Sequence, residues 1–265
     1  MVHVKAIQPS PMLAPYVKRY LALQADKPDY NVQRTLPSGC IEVILYRQGG
    51  AVEYGGAPSR IPRTFLGGKL CSYIDLKPTG GKVSLISILF HPNGAKPFFP
   101  IPLNEAYNQL VSLDSISDTG WKDLADRITE ATSVKQCIAY IESFLAARLC
   151  LNNTRHFNRI AASVSMAYNN PKADVTDLAK AACLGERQLN RVFSAYVGCN
   201  PKELIKVIRF NNALSNLQAN NGCTAQTAAA CCYSDQSHLI REFKHFSGYT
   251  PRGYLQSSIG FHYFP

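Results

Sequence analysis

The sequence contains no Cys-x-x-Cys, no His-x-His and no His-Glu-x-x-His. Its nine cysteines are scattered at 40, 71, 137, 150, 183, 199, 223, 231 and 232. An odd, dispersed set argues against a disulfide framework and against a zinc site, so the thiols are read as reduced and no metal is expected. Acidic residues are few, with 18 Asp+Glu against 28 Lys+Arg and a formal net charge of +10. Such a balance favours polyanionic partners, nucleic acid or an anionic surface, without choosing between them. No stretch approaches the roughly 18 apolar residues of a membrane span, and MVHVKAIQPS lacks the apolar core of a signal peptide, so a reducing cytoplasm is the expected compartment. In residues 1–150 no paired carboxylates, Ser/His/Asp set or phosphate-binding loop supports chemistry, and neither a catalytic residue nor a cofactor is expected.

What is present is globular: 46% hydrophobic and 17% charged residues over 265 positions, enough for two domains. The first hundred residues are punctuated by LPSG, QGG, GGAP, LGG and PTGG. Between these lie β-prone runs at 41–46, 72–76 and 82–90, the pattern of a β sandwich or barrel. Helical texture begins near 104 with NEAYNQLVSL, then WKDLADRITE, then VKQCIAYIESFLAARL at 134–149, where Ile138, Ile141, Leu145 and Leu149 share one face. That helix either caps the β domain or pairs with a second subunit. LNNTR at 151–155 is a polar break, dividing the chain into 1–151 and 152–265. Everything beyond it reads as seven short helices.

Within the second part the chain repeats itself. Leu189, Arg191, Phe193, Gly198 and Pro201 recur fifty residues later as Leu239, Arg241, Phe243, Gly248 and Pro251. Five matched positions without a gap point to a duplicated unit. Each copy has an alanine-rich helix, a tight turn and a striped helix, the make-up of a helix-turn-helix. In the striped helices Leu189 and Phe193, and Leu239 and Phe243, point inward at i and i+4. Arg187, Asn190, Arg191 and Ser194, and likewise Ser237, Ile240, Arg241 and Lys244, point outward. Ser234 is the expected N-cap of the second striped helix. Arg, Asn, Gln and Ser in the first turns are side chains that read base edges and grip phosphates. Residues 155–265 hold twelve Lys/Arg against six Asp/Glu, a net +6 compared with +4 for residues 1–154.

YSDQSHLIREFKHFSGYTPRGY at 233–254 resembles the signature of AraC-type transcription regulators, and the resemblance extends over about 155–256. PKELIKVIRFNNALSNL at 201–217 is similar to the family's connecting helix, with Arg209 and Ala213 at the customary places. The resemblance implies an all-α double helix-turn-helix domain whose two recognition helices enter successive major grooves of double-stranded DNA. Its expected DNA contacts are Arg187, Gln188, Asn190, Arg191, Arg209, Gln236, Ser237, His238, Arg241 and Lys244. Gly185 departs from the pattern, which has Ser before the first recognition helix. APYVKRYLAL, LPSGCIEVIL and ILFHPNGAKPFFPIP are similar to cupin-like sensory domains, which makes the whole an α+β multidomain protein. The resemblance admits a small-molecule effector, a homodimer and RNA polymerase as further partners.

Plainer readings stand beside these. The helical hairpins also suit a repeat scaffold, and Arg209 suits an internal ion pair as well as a phosphate contact. His238 reads as a satisfied or phosphate-facing side chain rather than a metal ligand. His91 and Glu42 lie where a cupin metal site would need a denser histidine set, and Cys40, beside the LPSG turn, reads as packing rather than a nucleophile. The cysteines also admit a redox-sensing role. A function of another class is an enzymatic or small-molecule-binding module at the N-terminus, with the helices as an oligomerisation platform.

Overall fold

Strands with alternating apolar side chains build the first half of the computed structural model, which describes the chain except residues 1, 27–32, 50, 55–56, 61–63, 80, 117, 152–155, 221–224, 258–259 and 263–265. A six-stranded antiparallel sheet runs in the order β1 (Val2–Ile7), β2 (Val17–Ala25), β9 (Val83–Phe90), β4 (Glu42–Gln48), β7 (Thr64–Gly67) and β10 (Leu110–Ser112). A second sheet runs β11 (Gly260–His262), β3 (Gln33–Thr35), β8 (Ile74–Thr79), β5 (Ala51–Tyr54) and β6 (Ala57–Arg60). The β-prone runs at 41–46, 72–76 and 82–90 thus become β4, β8 and β9.

Alternation along β4 and β9 sends side chains to both faces of the first sheet. Val43, Leu45, Ile86, Ile88 and Phe90 face a core closed by α1 (Thr119–Glu130) and α2 (Val134–Leu151), with Trp121 stacked on Phe99 at 4.9 Å between ring centroids. Tyr46, Phe65 and Leu85 face the opposite way and meet Leu76 of the second sheet. Ile141 and Leu145 are fully buried and Ile138 and Leu149 pack on the same core, so α2 caps the β half.

Two sequence expectations are corrected. NEAYNQLVSL is not a helix: a 3-10 turn at Leu103–Ala106 is followed by β10 and a second 3-10 turn at Leu113–Ser115. Asn108 adopts a left-handed φ of 54°, and Leu110–Ser112 pair with β7, so tertiary pairing overrides local helical texture. Nor is everything after 152 helical. Residues 260–262 form β11, parallel to β3, where an aromatic, β-prone segment finds an unpaired sheet edge. The polar break expected at 151–155 lies, apart from its first residue, outside the described residues.

Seven helices occupy the described remainder: α3 (Phe157–Asn169), α4 (Val175–Ala181), α5 (Glu186–Val197), α6 (Pro201–Asn220), α7 (Ala225–Ala230), α8 (Gln236–Ser247) and α9 (Pro251–Gln256). They form two cores. Leu178, Leu189, Phe193 and Leu204 belong to the first, and Phe210, Leu214, Leu239 and Phe243 to the second. Leu36, from the loop after β3, is buried in the second core, so the β half supplies part of a helical unit.

Candidate nucleic-acid interface

The two repeats fold alike because their sequence cues are alike. α4 opens with a reciprocal capping box, Asp174 accepting from the Asp177 amide at 2.9 Å and Asp177 accepting from the Asp174 amide at 3.2 Å. The turn after α4 passes through Cys183 at φ 51°, with the Leu184 amide donating to the Ala179 carbonyl. The turn after α7 passes through Cys232 at φ 62°, with the Tyr233 amide donating to the Ala228 carbonyl. These pairs are 49 residues apart, whereas the striped helices are offset by fifty. Ser234 is the extra residue.

That single insertion changes the cap. Gly185 caps α5 with no side-chain bond, whereas α8 is capped by Asp235, whose Oδ1 accepts from the His238 amide at 2.7 Å. Ser234 is therefore not the N-cap. It lies one position earlier, its hydroxyl 3.1 Å from both Asp235 Oδ2 and His238 Nδ1. Accepting the amide proton holds the Asp235 carboxyl below its ordinary range.

α5 ends at Gly198 (φ 86°) and α8 at Gly248 (φ 79°), left-handed stops that glycine meets without Cβ strain. Leu189, Phe193, Leu239 and Phe243 are buried. Arg187, Gln188, Asn190 and Arg191 are exposed on α5, as are Gln236, Ser237, Arg241 and Lys244 on α8; His238 is half-buried. Asn190 also donates to the Glu186 carbonyl at 3.0 Å along its own helix. Eight of the ten expected contacts thus lie on two equivalent exposed faces.

Arg209 lies elsewhere. On α6 its guanidinium is 3.6 Å from Glu242 and 5.4 Å from the centre of the Tyr233 ring, and its side chain is 18% exposed. Of its two sequence readings, this placement favours the internal ion pair, which ties α6 to α8. Burial, with Glu242 beside it, raises the Tyr233 hydroxyl pKa.

The β half reaches this assembly at several points that sequence spacing did not reveal. Arg34 is held by both oxygens of Asp75, at 2.7 and 2.6 Å, and lies over the rings of Tyr73 and Tyr249. Its Nη1 also donates to the Ser247 carbonyl at 3.1 Å. Tyr107 donates to Glu203 at 2.7 Å, and Asn211 to the Ser38 carbonyl at 3.2 Å. Lys69, 1% exposed, donates to the Gly39 carbonyl. Burial lowers its ammonium pKa and raises the Cys40 and Cys199 thiols, the latter to about 11, the reverse of what an activated nucleophile needs. Glu42 accepts from Ser87, and among the described residues no three His, Cys, Asp or Glu side chains are grouped to hold a metal. No helix among the described residues is long and apolar enough to cross a membrane.

Residues 178–257 match a family model described as a helix-turn-helix domain, and residues 5–112 match a domain of unknown function, DUF6597. Over 76 residues the chain is 29% identical to the HTH-type transcriptional regulator ArgR of Pseudomonas aeruginosa; the match spans 29% of this chain and 23% of that relative. Among solved structures, ToxT from Vibrio cholerae in its P21 form aligns with a TM-score of 0.47 and 11% identity, over 96% of this chain and 98% of that one. Unsaturated fatty acid bound wild-type ToxT from Vibrio cholerae strain SCE256 aligns with a TM-score of 0.45 and 12% identity, over 89% and 94%.

Proposed function

Because residues 178–257 form an AraC-type helix-turn-helix domain, the DNA-binding part of a transcription regulator, we propose that α5 and α8 read one operator together in successive major grooves. The carrying observation is the paired construction of the two units, each with its polar and basic first turns exposed and its Leu/Phe stripe buried. α6 contributes to both cores and so fixes their separation. Entry into successive major grooves of B-DNA calls for one helical turn, about 34 Å, between them. Arg187, Gln188, Asn190 and Arg191 on α5, and Gln236, Ser237, His238, Arg241 and Lys244 on α8, are assigned to DNA. Phosphate contacts supply salt-dependent affinity and base-edge contacts supply discrimination.

Residues 1–151 form the sensory part in this reading and 152–265 the DNA-binding part, acting in the cytoplasm. The hydrogen bonds from Arg34, Tyr107 and Asn211 support a sensor whose state is felt by the helical half. The test is selection of random duplex DNA by the full chain at two salt concentrations. Two short boxes about ten base pairs apart are expected. Retention without enrichment, lost as salt rises, would reduce the reading to a general grip on polyanions.

A further inference from the structure

Arg47 sits in a β-bulge. Tyr46 pairs with Leu85 and Gln48 with Ser84, so β4 carries one residue more than β9 there, and Arg47 has no opposite number on that strand. Such an insertion re-aims the side chain it frees. The guanidinium reaches the turn between α1 and α2, where its Nη2 donates to the Ala131 carbonyl at 2.7 Å. Its Nε is buried and has no acceptor among the described residues. A donor desolvated in this way gains from an acceptor oxygen brought within reach.

Arg47 lines a cavity of about 290 Å³ on the face of the six-stranded sheet that carries α1 and α2. Cross-strand register brings the other walls to it. Lys5 lies opposite Ala22 and Ala22 opposite Ile86, while His3 lies opposite Gln24 and Gln24 opposite Ser84. Residues directly opposite share a face of the sheet. Ala22 is the small residue of its row, which leaves a dent between Lys5 and Ile86, and Val134 at the start of α2 borders it. Three basic side chains, His3, Lys5 and Arg47, therefore line one cavity, and none of its lining residues is acidic. The carboxylates nearest in sequence are placed elsewhere: Asp26 faces Lys82 at 3.5 Å, and Glu130 is exposed at the end of α1. His3, Lys5 and Arg47 enter no ion pair among the described residues.

From this arrangement we infer that the cavity binds a phosphoryl group, free or as a small ester, gripped by Arg47 and Lys5 with any carbon part resting on Ile86 and Val134. A phosphoryl group carries about −1.5 to −2 charge at neutral pH, which matches the two permanent cations. A carboxylate would leave one of them unmatched. The guanidinium fork suits two oxygens of one phosphate, and Gln24, Ser84 and His3 offer further donors around them. The volume lies just below the span of drug-sized sites, which limits an ester to a few carbons. A bound phosphoryl group would link β1, β4 and the turn between α1 and α2. None of these residues belongs to the set assigned to DNA, so the inference stands apart from the reading of α5 and α8.

The test titrates the full chain at fixed ionic strength with glycerol 3-phosphate, ribose 5-phosphate and inorganic phosphate, and with glycerol and ribose as neutral counterparts. Calorimetry is expected to show at least one of the three phosphates binding about tenfold or more tighter than the neutral compounds, a difference of about 1.4 kcal/mol. An ester that binds tighter than inorganic phosphate assigns the site to phosphorylated small molecules, and esters that bind no tighter assign it to free phosphate. Because the chain carries a net charge of +10, variants decide the location. Lys5→Gln is expected to weaken binding about fivefold or more with thermal unfolding of the free protein unchanged. Arg47→Lys, which keeps the charge but loses the fork, is expected to weaken it as well, and Lys5→Gln alone decides if that variant does not fold. Lys82→Gln, at the same end of the sheet but outside the cavity, and Arg191→Ala on α5 are expected to retain binding. Equal binding of the neutral compounds, no binding of any phosphate, an affinity unchanged in Lys5→Gln, or one lost equally in Arg191→Ala would overturn the inference. Duplex selection by a chain that fails these tests would leave the reading of α5 and α8 intact.

Discussion

The guanidinium of Arg34 donates to the carbonyl of Ser247, joining the second sheet to the last residue of α8 across 213 positions of sequence. The same side chain is gripped by Asp75, its partner across the β3–β8 ladder. Burial and the two flanking tyrosines make this a joint between sheet and helix rather than a surface ion pair.

Arg34→Met should therefore destabilise the full chain by about 2–4 kcal/mol, since it leaves a carboxylate and a carbonyl without their donor. Denaturant unfolding measures the loss, and limited proteolysis should show early cleavage around α8. Unchanged unfolding would mean that the joint contributes nothing.

Gly248 and Gly198 occupy equivalent left-handed stops, yet their surroundings differ. A Cβ on Gly248 would lie 2.4 Å from Arg34 Nη1 and 2.7 Å from the Tyr73 ring, whereas one on Gly198 would meet nothing nearer than 3.3 Å. Both alanine variants carry the left-handed penalty of roughly 1–2 kcal/mol. Gly248→Ala should cost distinctly more, and the excess should shrink when combined with Arg34→Ala. Equal losses in unfolding experiments would refute the steric account.

Arg191→Ala and Arg241→Ala should each weaken operator binding by about 1–3 kcal/mol and relax a base position, whereas Lys244→Ala should act on all sequences alike and reduce the salt slope by about one. Competition against random duplex separates these outcomes. If neither arginine variant shifts specificity, the assignment of the exposed faces is wrong.

α5 and α8 should respond oppositely to work on their caps. Gly185→Ser adds a capping hydroxyl where an added Cβ would meet nothing within 4 Å. It should raise the thermal midpoint by a stabilisation of about 0.5 kcal/mol. Asp235→Ala should lower it, and Asp235→Asn should restore most of the loss. A Gly185→Ser variant less stable than the parent would count against the cap geometry.

Acid should loosen the β half through Asp118. Arg148 donates to both its carboxylate oxygens and the Gly120 amide donates at 3.1 Å, so its pKa lies below the ordinary 3.8, with the Arg148 bonds as the main cause. A depressed carboxyl stabilises the fold fully above its unfolded pKa, and the contribution is lost as pH falls through the folded value. Unfolding followed from neutral pH downward should show this decline. Asp118→Asn should be less stable at neutral pH and show a flatter acid limb.

The helical half was largely legible because its rules are local. The Leu/Phe spacing, the terminal glycines and the repeated alanines each act within a few residues of themselves. The cap of α8 was misjudged by one position because the inserted Ser234 shifts the turn without altering the stripe. Arg34, Tyr107 and Lys69 were missed for a different reason. Their partners come from distant elements, and no periodicity links Arg34 to Ser247 or Tyr107 to Glu203. The 104–113 segment misled because pairing with β7 outweighs its modest helical preference.

The parallel pairing of β11 with β3 has a bearing on synthesis. A ribosome delivers β3 early and the strand that covers its outer edge only after both helical units have emerged. Until then β3 presents unmet amides and carbonyls, a template for stray strands from other nascent chains. Closure of that edge is a contact of very long sequence separation, the sort that forms slowly. The order of manufacture therefore makes completion of the β half depend on completion of the helical half.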